Sequence, residues 1–293
     1  RSYSVTGVQT CALPILQKGV LEIGGEAFSE CVKLASITLP DTLISLGEMT
    51  FYRCMALTGV AIPEGVAAIP NQCFADCSAL ETATLPSGLA SIGYLAFANC
   101  EKLVTISIPQ SVSDIGMSAF YRCLALQSIV VPSGVTVVRI GTFYNCESLV
   151  SIGLPEGLLS IEANAFYGCI QLADISLPNS VTTIGASAFY ICSSANIVLP
   201  SNLVSIGAYA FVSNGMTSLT IPAGVTSIGQ EAFSYCSFLS GAVVRVYPVN
   251  PPICGSSIFQ FNAPVSILVP SGSVDEYKAA TGWSSYASSI ASQ

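Results

Sequence analysis

The sequence predicts a repeat solenoid of about ten coils of 22–23 residues, with a parallel β-sheet on one face and short helical or 3₁₀ turns elsewhere. Three features recur in step: a phenylalanine, a cysteine three residues after it, and a short apolar run that ends in proline. Self-similarity at a period of roughly 20–50 residues is typical of repeat architectures. One unit of this length cannot bury its own apolar side chains, so stacked units are expected to form one continuous core.

The phenylalanines set the period. The first eight are spaced 23 residues apart, and the last two steps are 22 residues. They are Phe28, Phe51, Phe74, Phe97, Phe120, Phe143, Phe166, Phe189, Phe211 and Phe233. Each shortened step loses its residue in the corner before the next apolar run, between Cys192 and Ile197 and between Asn214 and Leu219, so the run keeps its pattern.

The apolar runs are predicted to be short strands. In Ile106-Ser-Ile108-Pro109 two isoleucines alternate with a small residue, so both apolar side chains point to one face. Proline ends the strand because it has no N–H for the hydrogen-bond ladder. The later segment with phenylalanine and cysteine, Ala119-Phe120-Tyr-Arg-Cys123 in one coil, predicts one short helical or 3₁₀ turn.

The whole unit, L-x-x-I-x-L-P-x-x-V-x-x-I-G-x-x-A-F-x-x-C, resembles the BspA-like leucine-rich repeats of the TpLRR type, over about residues 16–293. The resemblance implies an α/β-type leucine-rich repeat solenoid that is right-handed and carries its parallel sheet on one face. Members of this family are mostly secreted or attached to the cell surface, and some bind host matrix proteins or other cells.

A cysteine ladder is the first candidate site. Nine of its ten rungs are cysteine, and the ladder consists of Cys31, Cys54, Cys77, Cys100, Cys123, Cys146, Cys169, Cys192, Asn214 and Cys236. A coil spacing of ~4.8 Å puts neighbouring Cα atoms within the disulfide range of roughly 4.4–6.8 Å, so spacing alone leaves both thiols and disulfides open. Asn214 favours reduced thiols, because asparagine and cysteine can both hydrogen-bond to the backbone of a turn but only cysteine forms a disulfide. A metal site is the third alternative, although the 23-residue step is not a zinc-ligand spacing.

Two rows of surface residues are candidate partner-binding sites. The residue between the two inward positions of a strand faces outward and is small and neutral, as in Thr38, Thr84, Ser107 and Ser176. This row is either a flat binding platform or a plain solvated sheet face. A second row follows phenylalanine on four successive coils: Tyr121, Tyr144, Tyr167 and Tyr190. Tyrosines offer rigid contact area with a polar tip, useful for proteins or sugars, but they could instead pack along the coil edge for stability.

The two ends of the chain differ from the repeats. Residues 1–15 resemble the translation of a sequencing-library adapter and are expected to be non-native, because repeat phasing starts at Leu16. The solenoid is expected over 16–242 and a C-terminal capping unit over 243–293, since a terminal repeat must shield the last coil. In that unit, Ser273-Val-Asp-Glu276 predicts a capping box that opens a short helix, with Gly282 as its stop, and termination near Gln293 is plausible.

Composition excludes several classes of function. Charged residues are 9% of the chain and the net charge is −8, which leaves no basic surface for nucleic acid. Histidine is absent, so histidine-based triads and imidazole zinc sites are excluded. The uncharged stretch Ile175–Gln230 is broken by prolines and glycines, so no membrane span is predicted. We predict no catalytic residues, no cofactor site and no metal site.

The expected function is therefore a non-enzymatic extracellular or cell-surface binding or adhesion module. It would recognise a protein or glycan partner on a host or neighbouring cell through a repetitive face of the solenoid. The localisation and the class of partner come from the family resemblance alone. The alternative is a structural spacer or scaffold segment of a larger surface protein.

Overall fold

The chain divides into two compact units, Arg1–Pro155 and Glu156–Gln293. The computed structural model describes residues 2–3, 16, 18–173, 175–192, 197–236, 239–260, 264 and 266–293. Within each unit the coils stack as a parallel β-solenoid with little helix, which confirms the predicted fold class. Apart from Ser2–Tyr3, the segment with a predicted adapter origin lies outside the described residues, and that origin stays a prediction.

The described strands of the first unit are two or three residues long. They are β1 (Ser2–Tyr3), β2 (Glu22–Ile23), β3 (Ser45–Leu46), β4 (Gly59–Ala61), β5 (Ala68–Ile69), β6 (Thr82–Thr84), β7 (Ser91–Ile92), β8 (Asp114–Ile115), β9 (Ser128–Val130), β10 (Val137–Val138) and β11 (Ser151–Gly153). Within the unit they pair in parallel in the orders β1-β2-β3, β5-β7-β8, β4-β6 and β9-β11.

The second unit adds longer strands and a little helix near its end. Its described strands are β12 (Ser160–Ile161), β13 (Thr183–Ile184), β14 (Ser205–Ile206), β15 (Leu219–Ile221), β16 (Ser227–Ile228), β17 (Val243–Val246), β18 (Ile253–Cys254), β19 (Ser266–Val269) and β20 (Ile290–Ser292). The helix α1 spans Val274–Ala279, and two 3₁₀ helices span Ser271–Ser273 and Ser284–Ser289. The strands pair in the orders β12-β13-β14-β16-β18 and β15-β17-β19-β20.

The parallel ladders lie on two faces, not on the single predicted one. In the first unit the runs before proline form the two-stranded ladders β4-β6 and β9-β11, and the predicted strand at Ile106–Ile108 is absent although both isoleucines are buried. In the second unit the ladder on this face, β15-β17-β19-β20, has four strands. The proline that follows each run removes the next N–H, which limits this ladder. A second ladder, which the sequence did not predict, runs through two-residue strands such as β5, β7 and β8. Glycine follows β7 and β8, and Pro70 follows β5.

Glycine permits the close approach of coils on this second face. A Cβ built on Gly116 would lie 2.5 Å from the carbonyl carbon of Gly93 in the preceding coil. The Gly116 N–H donates to the Ile92 carbonyl oxygen at 2.8 Å, which extends the ladder by one bond. The glycine is therefore required by packing against a neighbouring backbone.

The segment around each phenylalanine is not the helical or 3₁₀ turn that we predicted. Ser118 and Arg122, which flank Phe120, have φ of 54° and 55°, a left-handed conformation that costs about 1–2 kcal/mol for a residue with a Cβ. The Phe120 N–H donates to the Thr142 carbonyl oxygen at 3.0 Å in the next coil, whereas a helix would direct it to a carbonyl of its own turn. The Cys123 N–H still donates to the Phe120 carbonyl oxygen at 3.2 Å, so bonds within the turn alternate with bonds between coils and no continuous helix forms.

The phenylalanines form the core of each unit. From Phe28 to Phe143, neighbouring ring centroids are 5.3–5.7 Å apart and the ring planes lie within 10° of parallel. From Phe166 to Phe233 the separations are 5.2–5.4 Å. Phe259, which the period did not predict because it lies 26 residues after Phe233, extends the second column at 5.9 Å.

The end of the second unit covers its last coil with aromatic side chains. Trp283 is fully buried, and its indole N–H donates to the Pro252 carbonyl oxygen at 3.1 Å. The predicted helix forms as α1, but the predicted capping box is wrong. Ser273 sits at the N-cap without a side-chain capping bond, because the backbone already turns as a 3₁₀ helix before it. The helix also ends at Ala279, three residues before Gly282.

Candidate binding surfaces

The cysteine ladder ties each coil to the one before it. The Cys123 thiol, for example, donates to the Phe97 carbonyl oxygen at 3.2 Å. The same bond, at 2.9–3.2 Å, is made by Cys54, Cys77, Cys100, Cys123, Cys146, Cys192 and Cys236. The Phe97 carbonyl oxygen also accepts from the Cys100 N–H of its own turn at 3.3 Å, so the thiol adds a second bond to it, from the next coil.

Burial keeps the ladder thiols protonated. Desolvation raises the pKa of Cys146 and Cys192 from 9.0 to about 12, and that of Cys236 to about 11. The thiolate is the form that attacks electrophiles and binds metals. At neutral pH these side chains are therefore structural hydrogen-bond donors.

Two rungs depart from this pattern. Cys31 is disulfide-bonded, so this rung differs from the expected thiol. The Asn214 side-chain oxygen accepts a hydrogen bond from the Met216 N–H at 3.2 Å, while its buried Nδ2 has no partner among the described residues. Asn214 thus bonds within its own turn and does not reproduce the bond that cysteine makes between coils.

The tyrosine row includes one stacked pair in each unit. The rings of Tyr121 and Tyr144 lie 5.0 Å apart in the first unit, and those of Tyr167 and Tyr190 lie 4.9 Å apart in the second. All four side chains are half-buried. Each pair is held rigidly by its neighbour and by the coil beneath it, and it still presents ring surface to solvent.

The small outward residues lie on the solvent side of the runs before proline. Thr38, Thr84, Ser107 and Ser176 are all exposed, as expected. Of these four residues, only Thr84 lies in a strand, β6. A flat binding platform along this row stays a prediction.

A polar groove in the first unit was not predicted from the sequence. It has a volume of about 580 Å³ and crosses four successive coils. Its lining residues are Tyr52, Arg53, Met55, Asp76, Ser78, Asn99, Glu101 and Arg122. The signal was available in the aligned repeats: Ala75 and Ala98 occupy the position that is tyrosine in Tyr52 and Tyr121.

The described part of the chain holds neither a metal-binding cluster nor a membrane-spanning helix. No group of three or more cysteine, aspartate or glutamate side chains in those ranges is placed to hold a metal ion. None of the helices seen in the described residues is long and apolar enough to cross a membrane.

The family comparison agrees with this geometry. The model of the BspA type leucine-rich repeat region matches six copies, over residues 8–127 and 113–240. The chain belongs to the BspA-type leucine-rich repeat family. The match starts inside the segment with a predicted adapter origin. A comparison of this BspA-type chain with curated proteins gives no match.

Solved bacterial structures share the BspA-type fold. A leucine-rich repeat protein from Bacteroides ovatus is 24% identical, with a TM-score of 0.63 over 94% of this chain and 88% of its own. The Treponema pallidum protein TpLRR is 34% identical, with a TM-score of 0.52 over 55% of this chain and 77% of its own. A leucine-rich cell surface protein from Faecalibacterium prausnitzii is 27% identical, with a TM-score of 0.50 over 90% and 73%. These similarities fit a repeat binding module.

Proposed function

We propose that this BspA-type chain is a non-enzymatic binding or adhesion module at the cell surface or outside the cell, which recognises a protein or glycan partner on a host or neighbouring cell. The observation that carries the proposal is the pair of tyrosine stacks, Tyr121 with Tyr144 and Tyr167 with Tyr190. Rigid aromatic side chains supply contact area at low entropic cost. The F. prausnitzii relative, described as a cell surface protein, supports the localisation.

The chemistry of the chain supports a non-enzymatic role. Histidine, the commonest general acid or base, is absent. The free thiols of the described residues are buried. Burial raises the pKa of Cys54, Cys146 and Cys192 to about 12, so these three are not poised as nucleophiles. Arg139 and Asp114 form an exposed ion pair at 2.8 Å, which is typical of a surface contact and not of an acid–base pair.

Binding of the labelled chain to immobilised extracellular matrix proteins and mucin glycans tests the proposal. The variant with Tyr121, Tyr144, Tyr167 and Tyr190 all changed to alanine should bind at least tenfold more weakly. The control changes Tyr94 and Tyr235, which are exposed and outside the stacks, to alanine and should stay within twofold. Circular dichroism checks that both variants fold.

Two outcomes would overturn the proposal. If the unmodified chain binds none of these surfaces, the spacer alternative is favoured. If the quadruple variant folds and binds as well as the control, the tyrosine stacks are packing residues and do not form the binding site.

A further inference from the structure

The groove in the first unit lies between two rows of side chains that run along the stack of coils. One row holds the residues two positions after phenylalanine: Arg53, Asp76, Asn99 and Arg122. The other holds residues four positions after it: Met55, Ser78 and Glu101. The ladder cysteines between the rows are buried. At ~4.8 Å per coil, the four coils give a groove about 14 Å long.

The groove exists because two tyrosines of the repeat are missing. Tyr52, one residue after phenylalanine, forms part of its wall. The same position in the next two coils is Ala75 and Ala98, which are 4% and 2% exposed, and in the following coil it is tyrosine again, Tyr121. The space that stacked rings occupy elsewhere is therefore open to a ligand here.

The backbone holds the polar row in place. The N–H groups of Asp76 and Asn99 donate to the carbonyl oxygens of Ala98 and Tyr121 in the next coil, at 2.8 and 2.7 Å. Both residues have left-handed φ, of 61° and 57°. The backbone beneath these side chains is already ordered, so ligand binding would cost little backbone conformational entropy.

The groove contains complementary donors and acceptors with spare bonding capacity. Arg53 pairs with Glu30 at 3.0 Å, and Asn99 Nδ2 donates to Asp76 Oδ1 at 2.7 Å. Within the described part of the chain, neither the Arg122 guanidinium nor the Glu101 carboxylate forms a hydrogen bond or ion pair with another side chain. Two guanidinium groups and two carboxylates line the groove, so their formal charges cancel.

We propose that this groove binds a neutral oligosaccharide. This proposal rests on the proposed binding function, and it names the class of ligand for a second binding site. Sugar hydroxyls donate and accept at once, which suits closely spaced guanidinium, amide and carboxylate groups. The apolar face of a sugar ring can pack on Tyr52 and Met55. An anionic ligand would face Asp76 and Glu101, and a cationic one would face Arg53 and Arg122, so the balanced charge selects a ligand without charge.

The test measures binding of soluble neutral tetrasaccharides (maltotetraose, cellotetraose, mannotetraose and xylotetraose) by saturation-transfer NMR and titration. Ala98→Tyr restores the ring that Tyr121 carries at the same repeat position, fills the groove, and should weaken binding at least tenfold. Asn99→Ala should weaken it at least fivefold. Asn145→Ala is the matched control, because Asn145 has the same repeat position and a φ of 53° but lies outside the groove lining, and it should stay within twofold.

The outcomes separate this proposal from the proposed function. If no neutral tetrasaccharide binds but the chain still binds matrix proteins or mucin through its tyrosine stacks, the groove proposal fails alone. If sulfated or sialylated oligosaccharides or a peptide bind in the groove in preference, the ligand class is wrong. If Ala98→Tyr does not fold, the comparison of Asn99→Ala with Asn145→Ala decides, and equal binding by these two contradicts the proposal.

Discussion

The ring of Tyr286 meets the ring of Phe259 edge-on, with centroids 5.4 Å apart and planes at 76°. The Tyr286 hydroxyl oxygen also accepts a hydrogen bond from the Phe259 backbone N–H at 3.0 Å. In the coils before it, rings such as Phe211 and Phe233 stack face to face within 1° of parallel. Tyr286 therefore ends the aromatic column with an edge-on contact in place of a stacked one. Its hydroxyl oxygen also accepts from the Phe259 N–H, which has no carbonyl of a following coil as its acceptor among the described residues.

Tyr286→Phe should lower the free energy of unfolding by about 1 kcal/mol, because it removes the acceptor and keeps the ring. Tyr286→Ala should cost more, since ring contact is lost as well. Urea unfolding curves check both. Equal stability of Tyr286→Phe and the unmodified chain would show that the Phe259 N–H is satisfied in another way.

Gly116→Ala should destabilise the first unit by about 1–3 kcal/mol, the usual cost of overpacking, because its Cβ would lie 2.5–2.7 Å from the Gly93–Tyr94 backbone. Gly88→Ala is the matched control, since no atom lies within 4 Å of its Cβ position and its φ is not left-handed. That change should be neutral or stabilising by up to ~1 kcal/mol. Thermal melting of the two variants makes the comparison, and similar melting temperatures would refute close coil contact at Gly116.

Stability should fall steeply in alkali. The unfolded chain releases its thiol protons near the ordinary value of 9.0, whereas burial raises the pKa of Cys54, Cys146 and Cys192 to about 12. Between these values the folded state binds more protons, so stability that is fully present below pH 9 is lost as pH rises towards 12. In this pH range each such thiol lowers the free energy of unfolding by about 1.4 kcal/mol per pH unit. Urea midpoints measured from pH 7 to pH 11 that stay constant would contradict buried thiols.

The thiols should be countable only after unfolding. The described residues include ten free, buried cysteines, so iodoacetamide at pH 8 should label almost none of them in the native chain and about ten in guanidinium without reductant. Mass spectrometry gives the count. A chain whose rungs Cys77, Cys100 and Cys123 are already oxidised before labelling would disprove the reduced ladder.

The repeat period predicted the core well. Phe97, Phe120 and their equivalents lie in one column per unit because a fixed spacing in sequence becomes a fixed height in a solenoid. The second ladder could not be predicted in the same way. Its strands, such as Ser205–Ile206, have two residues, and two residues are too few to show the alternation by which strands are recognised.

Three other features were missed: the left-handed turn residues, the groove, and the bonding at the start of the C-terminal helix. Asp76 and Asn99 are residue types that favour a left-handed conformation, so the sequence carried a signal at these two positions, whereas Arg53 carries none. The groove depends on the rings that Ala75 and Ala98 lack, and it becomes visible only when neighbouring repeats are compared position by position. The helix after Ser273 was predicted correctly, but the capping bond from the Ser273 side chain was not, because a 3₁₀ helix precedes it.

Removal of a single repeat tests the central claim that each coil is one stackable unit. Deletion of residues 75–97 removes 23 residues and joins Phe74 to Ala98, so that phenylalanine and Cys100 keep their spacing. Deletion of 75–86 removes half a coil. Urea unfolding followed by circular dichroism should show a cooperative, near-native transition for the first variant and none for the second. Equal loss of structure in the two variants would contradict a fold built from interchangeable coils.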